Sequence, residues 1–518
     1  MNKKSPFIVN KAVFFPLVIL MVGILAISFI NQDAFAAVIG GILNAEVIDL
    51  KWTVGPIILF MLLVAVVLAV CPASKKKLGG PDAVAEYSNF SYWGMCVCST
   101  IAIGIVFWGV AYPMTYYMEP WAGWGVEPGT PEAAVKAIAQ TNLEWSGQYV
   151  LYGMFGLAMG ISMYNYGQPT RTSSFLFLLR GKPAGNVVNI IIDILCVFGI
   201  IAGVTCSLGT GTMQLASGLD AIFGIEPSKM TWLLVEAIVV VGFILMSNAG
   251  IAKGIRIVTD QNLRIYYALM ILMVIIGPTL YIFDMATEST GYLLNNFIGD
   301  ITYTGGINGD DSPIFWMIWL YVSAVAFAPI VGLFMAKISY GRTIREMVVG
   351  AMLVPALVNA AWFIIFGATA IHWQNTGEMD IYAAMQEVGV EGAMWQFFSH
   401  LPAGKFFQIV FWIVIIISFV TLASSSTTTA SFTSMVATRE VSNEEEPPIW
   451  MKTVWGLIMA VSAFVFISYA GINGAKSMAL IGGMPTLFLA ALAAFCMLKY
   501  VTGGVKAKET FTTLPDKE

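Results

Sequence analysis

The sequence predicts an all-α integral membrane protein with about twelve transmembrane helices. Of its 518 residues, 58% are hydrophobic and 11% are charged, whereas soluble domains have about 45–50% apolar and about 25% charged residues. Apolar runs of about 20 residues, the length that a helix needs to cross a bilayer, recur along the chain. Most basic residues fall in alternate connections between these runs, as in membrane proteins of fixed orientation. A water-soluble enzyme is therefore excluded.

Six predicted spans lie in the first half of the chain and six in the second. The first six cover residues 13–30, 54–70, 96–118, 149–166, 189–215 and 230–246. The second six cover residues 265–283, 314–335, 348–371, 406–438, 454–469 and 477–498. The first run is longer than the core of a signal peptide, so it is interpreted as a span. The six cysteines lie in or beside apolar runs, which predicts buried thiols rather than disulfides.

The distribution of basic residues predicts the orientation of these spans. With the N-terminus in the cytoplasm, all but five of the 26 Lys and Arg residues fall on the cytoplasmic side, as the positive-inside rule requires. The five exceptions are Lys51, Lys136, Lys229, Lys405 and Lys476. A multi-pass protein of the plasma (inner) membrane with both termini cytoplasmic is predicted. The small net charge of −5 and the lack of a basic stripe exclude a nucleic-acid partner.

Two spans carry helix-breaking residues at corresponding places. The third contains Gly104, Gly109 and Pro113, and the eighth contains Pro329 and Gly332. Paired interruptions of this kind in two halves of a chain indicate a secondary transporter built from inverted repeats, with its substrate bound where the helices are interrupted. We therefore expect a break in each of these two spans and a binding site between them.

Three blocks of sequence resemble the betaine/choline/carnitine transporter family, known as BCCT. Residues 336–346 read AKISYGRTIRE, residues 250–256 read GIAKGIR, and residues 207–211 of the fifth span read SLGTG. Each block resembles a family block, and the three occur in the family's order. Several departures from the family pattern, described below, make the chain resemble a divergent member.

The resemblance covers roughly residues 10–500 and implies a fold. Family members have a LeuT-type core of five plus five helices in an inverted repeat, preceded by two extra N-terminal helices, and work by alternating access. The implied division is an N-terminal segment over 1–90, a first repeat with its connecting helix over 91–300, a second repeat over 301–500 and a short cytoplasmic tail over 501–518. A homotrimer in the lipid bilayer is also implied.

Aromatic residues beside the two predicted breaks are the first candidates for substrate binding. Trp145, Tyr149 and Tyr152 fall on or near positions that hold a quaternary ammonium group in the family, and Trp108 and Tyr112 lie in the third span. Aromatic rings attract a desolvated cation without a buried counter-charge, which suits a membrane interior. The resemblance therefore implies import of a small cationic or zwitterionic solute, such as a betaine, choline or carnitine.

The eighth span departs from the family, which leaves two substrate classes open. Where the family has a tryptophan cluster before Pro329, this chain has Ser323, Ala324 and Phe327. Either the remaining aromatic residues, with Phe327, suffice for a quaternary ammonium group, or the pocket is rebuilt for a non-quaternary zwitterion or small organosulfonate, with Ser323 supplying a hydroxyl and Ala324 supplying room. Trp316 and Trp319, one to two turns earlier, are interpreted as interfacial or packing residues.

Hydroxyl groups in the tenth span are candidate ligands for sodium as the coupling ion. Thr421, Ser424 and Ser425 stand at i, i+3 and i+4, so they share one helical face. They match family sodium ligands, although Ser424 stands where an Asp is frequent, and carbonyl groups of Cys98 and Ile101 would complete the shell. The family's sodium-independent exchangers place an arginine in the fifth helix. This chain lacks one there, which favours symport.

Other classes of function fit the sequence less well. A membrane enzyme needs clustered acids, histidines or a nucleophile with a base at membrane depth, and none is found, so no catalytic residue and no cofactor other than the coupling ion is predicted. His372 and His400 lie at the outer boundary and do not indicate a proton relay. A channel or a sensor is the alternative from another class, although paired interrupted helices favour a carrier. The short tail favours nutrient uptake over osmotic regulation.

Overall fold

The computed structural model describes residues 6–100, 103–248, 252–437 and 447–511, and these residues are mostly helical. The helices of the first half are α1 (Lys11–Ile30), α2 (Gln32–Leu43), α3 (Lys51–Val70), α4 (Asn89–Thr100), α5 (Ile103–Met118), α6 (Pro131–Gly147), α7 (Tyr149–Tyr166), α8 (Phe177–Arg180), α9 (Asn186–Phe223) and α10 (Lys229–Asn248). Those of the second half are α11 (Ala252–Ile276), α12 (Thr279–Thr302), α13 (Trp319–Ile338), α14 (Ile344–Val348), α15 (Val354–Thr376), α16 (Ile381–Val388), α17 (Ala393–Ser399), α18 (Gly404–Thr433) and α19 (Ile449–Val501).

Seven helical segments among the described residues are long and apolar enough to cross a membrane. They are 11–30, 51–70, 186–223, 314–338, 344–376, 404–433 and 449–501, and an eighth is reached if the bent pair of α11 and α12 is counted as one span. Helix α7 matches the predicted fourth span to the residue. The all-α membrane class is thus confirmed, whereas the total of twelve spans and the inverted repeat stay predictions.

Two predicted span ends are wrong. The seventh span is predicted to continue to residue 283, but α11 ends at Ile276 and α12 turns away by 108°. Pro278 lies between the two helices, and a proline inside a helix has no N–H to donate to the preceding turn. The tenth span was expected to reach residue 438, but α18 ends at Thr433 and strand β2 (Met435–Ala437) pairs antiparallel with β1 (Phe7–Val9). The backbone of α19 leaves the helical conformation at 470–471, between the predicted eleventh and twelfth spans.

The expected interruptions at Pro113 and Pro329 are also wrong. Helix α5 runs through Pro113, and α13 runs through Pro329. Membrane helices tolerate internal proline, since neighbouring groups satisfy the freed carbonyl. A change of helix geometry precedes α13 instead, where a π-helical turn over Ile314–Ile318 leads directly into it.

Small residues bring the central helices together. Helix α9 packs mainly against α19, and α7 packs mainly against α13. A Cβ atom added at Gly483 of α19 would lie 1.9 Å from the Val322 carbonyl oxygen of α13, and one at Gly211 of α9 would lie 1.2 Å from the Phe419 ring of α18. Backbones can approach this closely only where a side chain is missing. Glycine therefore sets the spacing of the helices around the bundle centre.

Connections that the basic residues place on the cytoplasmic side contact one another at one end of the bundle. A β-bridge pairs Lys77 with Thr343, and Arg345 Nε donates a hydrogen bond to the Ala69 carbonyl oxygen at 2.6 Å. The Asn165 side-chain amide donates to the Lys77 carbonyl oxygen at 3.1 Å. These contacts join the connections that follow α3, α7 and α13.

Connections predicted to face the outside form a second group. Lys51 Nζ, at the start of α3, lies 3.4 Å from Asp311 Oδ1, which precedes α13. The Tyr382 hydroxyl of α16 donates a hydrogen bond to Glu119 Oε1, just after α5, at 2.6 Å. The contacts between connections therefore fall into the same two groups as the predicted sides.

Candidate substrate site

A cavity of about 90 Å³ lies among α4, α5, α6, α7, α9, α13 and α18. Its wall combines aromatic rings with hydroxyl and amide groups. The aromatic residues are Trp108, Trp145, Tyr152, Trp319 and Phe327, and the polar ones are Ser99, Thr100, Gln148, Ser207, Thr210 and Ser323. None of the described residues that line it carries a charge. A small molecule with a desolvated cationic end suits such a wall, since rings can stabilise the cation and hydroxyls can donate to an anionic group.

Most of the predicted substrate residues come together around this cavity. The six that line it are Trp108, Trp145, Tyr152, Ser323, Ala324 and Phe327. They come from four helices, α5, α6, α7 and α13, so only the folded bundle assembles them. Their contact with a substrate stays a prediction, but their shared location is the arrangement that such a site requires.

Tyr112 and Tyr149, also predicted to bind substrate, are not part of the cavity wall. The Tyr112 hydroxyl donates a hydrogen bond to Glu144 Oε2. The Tyr149 ring is buried one turn before Tyr152, and the two ring centroids are 6.1 Å apart. Both tyrosines therefore form a layer behind the wall. Sequence spacing places them on the right helices but does not determine which way the rings face.

Of the two tryptophans predicted to be interfacial or packing residues, Trp319 lines the cavity and Trp316 packs against the rings beside it. Trp319 is buried and lines the cavity, and its ring centroid lies 5.4 Å from that of Trp108. The Trp316 centroid lies 4.9 Å from that of Tyr112. Trp316 lies within the π-helical turn before α13, and a regular α-helical spacing does not anticipate how that turn orients the rings.

Lys476 is a buried residue of the site that sequence reasoning missed. Its side-chain ammonium lies 4.8 Å from the ring centroid of Trp108 and 4.4 Å from those of Trp316 and Trp319. Nζ also donates a hydrogen bond to the Phe315 carbonyl oxygen at 3.0 Å. The distribution of basic residues places Lys476 on the outer side of the membrane, among the five lysines that do not fall on the cytoplasmic side. A lysine next to an apolar run is a signal that could have drawn attention to it.

Glu144 of α6 is a second missed residue. It is fully buried, and its carboxylate accepts hydrogen bonds from Tyr112, from Tyr116 at 2.8 Å and from Gln140 at 2.6 Å. Three donors satisfy a buried carboxylate and fix the tyrosine rings behind the cavity wall. Helix α6 is too polar to be detected as an apolar run, so its acid was not connected with the site.

The predicted sodium ligands on α18 lie close to the cavity. Leu422, between Thr421 and Ser424, lines the cavity itself. Ser424 is buried, whereas Ser425 is exposed and its hydroxyl donates to the Thr421 carbonyl oxygen at 3.0 Å. Ile101 and the Cys98 side chain lie outside the described part of the chain. Sodium binding by this group stays a prediction.

A third buried ionisable residue lies beside the same hydroxyl-rich helix. Glu236 of α10 lines a second cavity, of about 10 Å³, together with Thr427 of α18. Its Oε1 accepts a hydrogen bond from the Thr212 hydroxyl at 3.4 Å. Glu236 lies within the predicted sixth span, over residues 230–246. One acid does not interrupt an apolar run, so the sequence does not indicate whether its side chain is buried.

Comparison with known proteins determines the family. Residues 12–504 match the family model described as BCCT, betaine/carnitine/choline family transporter. The chain belongs to this family. Membership makes it a multi-pass membrane transporter and not an enzyme, as the sequence predicts.

Curated relatives at low identity carry names of small-solute transporters. Glycine betaine transporter 1 of Vibrio parahaemolyticus is 28% identical over 441 residues, which cover 83% of this chain and 81% of that protein. Glycine betaine transporter OpuD of Bacillus subtilis is 28% identical over 82% of this chain and 83% of its own length. The ectoine/hydroxyectoine transporter of Virgibacillus pantothenticus is 25% identical over 98% of this chain and 99% of its own.

Proposed function

We propose that this BCCT transporter imports a small quaternary-ammonium or betaine-like solute by sodium symport and alternating access. The observation that carries the proposal is the cavity wall of aromatic rings and hydroxyl groups, in which no described residue is charged. Aromatic rings stabilise a quaternary ammonium group better than hydrogen-bond acceptors do, because such a group has no N–H to donate. Two of the relatives named above are glycine betaine transporters, and glycine betaine carries such a group.

The alternative of a pocket rebuilt around Ser323 for a non-quaternary zwitterion or an organosulfonate has less support. The Ser323 hydroxyl lines the cavity, but it donates its hydrogen bond to the Leu320 carbonyl oxygen of its own helix at 3.0 Å. A donor already used in this way is a weak specificity group for a sulfonate or carboxylate. We therefore favour recognition by the rings, with choline and carnitine as further test ligands.

We also propose that the chain crosses the plasma (inner) membrane twelve times, with both termini cytoplasmic and a five-plus-five inverted repeat. The grouping of the connections at two ends of the bundle supports this arrangement. The non-helical backbone at 470–471 supports it as well, since it divides α19 into two lengths that can each span a bilayer. The homotrimer implied by the resemblance is proposed with it, and native mass spectrometry of the purified protein tests that state.

Cysteine labelling tests the orientation. In a variant with Cys71 replaced by serine, a cysteine at the exposed Lys75 position should be protected from an impermeant thiol reagent added to intact cells. A cysteine at the exposed Glu378 position should react, because the proposed topology places it outside. Labelling is read by gel shift, and permeabilised cells serve as the control for reactivity. Protection of position 378 together with labelling of position 75 would contradict the orientation.

Sodium dependence tests the coupling. Uptake of radiolabelled glycine betaine and ectoine into proteoliposomes should require an inward sodium gradient at constant pH. Ser425→Ala should raise the sodium concentration for half-maximal uptake about tenfold, because a sodium ion loses one of its few hard oxygen ligands. Ser477→Ala is the control: the hydroxyl of the half-buried Ser477 likewise donates to a carbonyl four residues earlier, at 2.8 Å. Undiminished uptake without sodium would refute sodium coupling.

A further inference from the structure

We propose that Lys476 determines which way the zwitterion lies in the cavity and makes the transporter discriminate against solutes that carry only a positive charge. This inference rests on the proposed function, since it concerns the selectivity of the same site. It assigns a specificity role to a residue that does not line the cavity but lies behind two of the rings that do.

The first step is that the side chain of Lys476 occupies a cage of three tryptophan rings. The tryptophan cage consists of Trp108, Trp316 and Trp319, and the Lys476 ammonium lies within 4.8 Å of all three ring centroids. Lys476 is only 4% exposed. Its one described hydrogen bond is to the Phe315 carbonyl oxygen. Three rings and one carbonyl group therefore take the place of water around this ammonium.

The second step is that the charge has no acid in direct contact. Among the described residues, no carboxylate oxygen forms an ion pair with Lys476 within 4.0 Å. Glu144 is the acid of the neighbouring layer, and its oxygens accept hydrogen bonds from Tyr112, Tyr116 and Gln140. The Trp316 ring contacts both Lys476 and Tyr112, and Tyr112 in turn donates a hydrogen bond to Glu144. Glu144 therefore makes no direct ion pair with the ammonium among the described residues.

The third step is that two rings of the cage also face the substrate. Trp108 and Trp319 line the cavity, so a substrate cation in contact with either ring would lie roughly 11 Å or less from Nζ, given that cation–ring contacts reach about 6 Å. Like charges this close repel each other strongly away from water. Trp108 and Trp319 are therefore poor places for the cationic end of a substrate and good places for its anionic end.

The fourth step concerns the other rings. Trp145 and Tyr152 line the cavity and make no cation–ring contact with Lys476. Their rings are therefore the ones that we expect to contact an alkylated ammonium group in the cavity. A zwitterion is thus expected to lie with its ammonium group near Trp145 and Tyr152 and its carboxylate or sulfonate toward Trp108 and Trp319. Choline has no anionic end, so it meets the repulsion of Lys476 without any compensating attraction.

Ligand competition tests the inference directly. Binding of glycine betaine and of choline to the purified full-length protein is measured by the change in tryptophan fluorescence. The wild type should bind glycine betaine at least tenfold more tightly than choline. Lys476→Gln and Lys476→Met should weaken betaine binding and reduce this preference to about threefold or less. Lys476→Arg, which retains the charge, should keep the preference.

Lys405→Gln is the control for net charge, because it removes an exposed lysine that the charge distribution places on the same side as Lys476. It should leave the preference unchanged. A wild type that binds choline as tightly as glycine betaine overturns the inference, even if no Lys476 variant folds. A Lys476→Gln or Lys476→Met protein that binds glycine betaine and keeps the full preference also overturns it. A wild type that takes up neither glycine betaine nor ectoine would instead refute the proposed function itself.

Discussion

Tyr152→Leu is expected to weaken binding of glycine betaine about thirtyfold. The Tyr152 ring lines the cavity and makes no cation–ring contact with Lys476, so the substrate ammonium group is proposed to lie against it. A cation–ring contact in a desolvated site contributes about 2 kcal/mol, and that free energy corresponds to roughly thirtyfold in affinity. Isothermal titration calorimetry on the purified protein measures the change.

Two control variants separate the ring from the surrounding structure. Tyr152→Phe keeps the ring and removes only the hydroxyl, which donates to Gln148 Oε1 at 3.2 Å, so affinity should stay within about threefold of the wild type. Tyr149→Leu removes a buried ring one turn away that does not line the cavity. It should lower thermal stability more than affinity. Wild-type affinity in Tyr152→Leu would show that this ring does not hold the cation.

The sequence predicts best what depends on the length and composition of apolar runs. Helix α7 begins and ends where its apolar run does. The family resemblance predicts that Trp145 and Tyr152 lie near one site. Their common cavity follows from where α6 and α7 lie in the bundle.

The sequence predicts poorly what depends on polar helices and on local breaks. Helices α6 and α12 escape an apolar scan because they contain too many polar residues, and with α6 the scan misses Glu144. Pro113 and Pro329 suggest breaks, yet tertiary contacts keep α5 and α13 continuous. In each case, neighbouring helices decide the outcome, and no single stretch of sequence contains that information.

Lys476 illustrates the same limit at the level of one side chain. Basic residues are assigned to a side of the membrane by their place in the chain, and five residues before Lys476 the backbone at Gly471 leaves the helical conformation. The direction of the side chain depends on this change and on the rings of α5 and α13. Lys476, which is one of the five basic residues not placed on the cytoplasmic side, is thus buried beside the candidate site.

Glu144→Leu is expected to lower the free energy of unfolding by about 4 kcal/mol, the largest loss of stability that we predict for a single substitution. The variant leaves the Tyr112 and Tyr116 hydroxyls and the Gln140 amide without their shared acceptor. Each buried donor that loses its partner costs about 1–3 kcal/mol. Thermal unfolding in detergent, followed by near-ultraviolet circular dichroism, measures the effect.

Glu132→Leu on the same helix is the matched control for this substitution. Its carboxylate is 68% exposed and pairs with Lys136 at 3.0 Å, and exposed pairs of this kind contribute about 1 kcal/mol or less. Tyr116→Phe removes one donor and keeps the acceptor, so it should cost less than Glu144→Leu. If Glu144→Leu were as stable as Glu132→Leu, the carboxylate would not hold the tyrosine layer in place. The rings behind Trp108 and Trp145 would then owe their positions to packing alone.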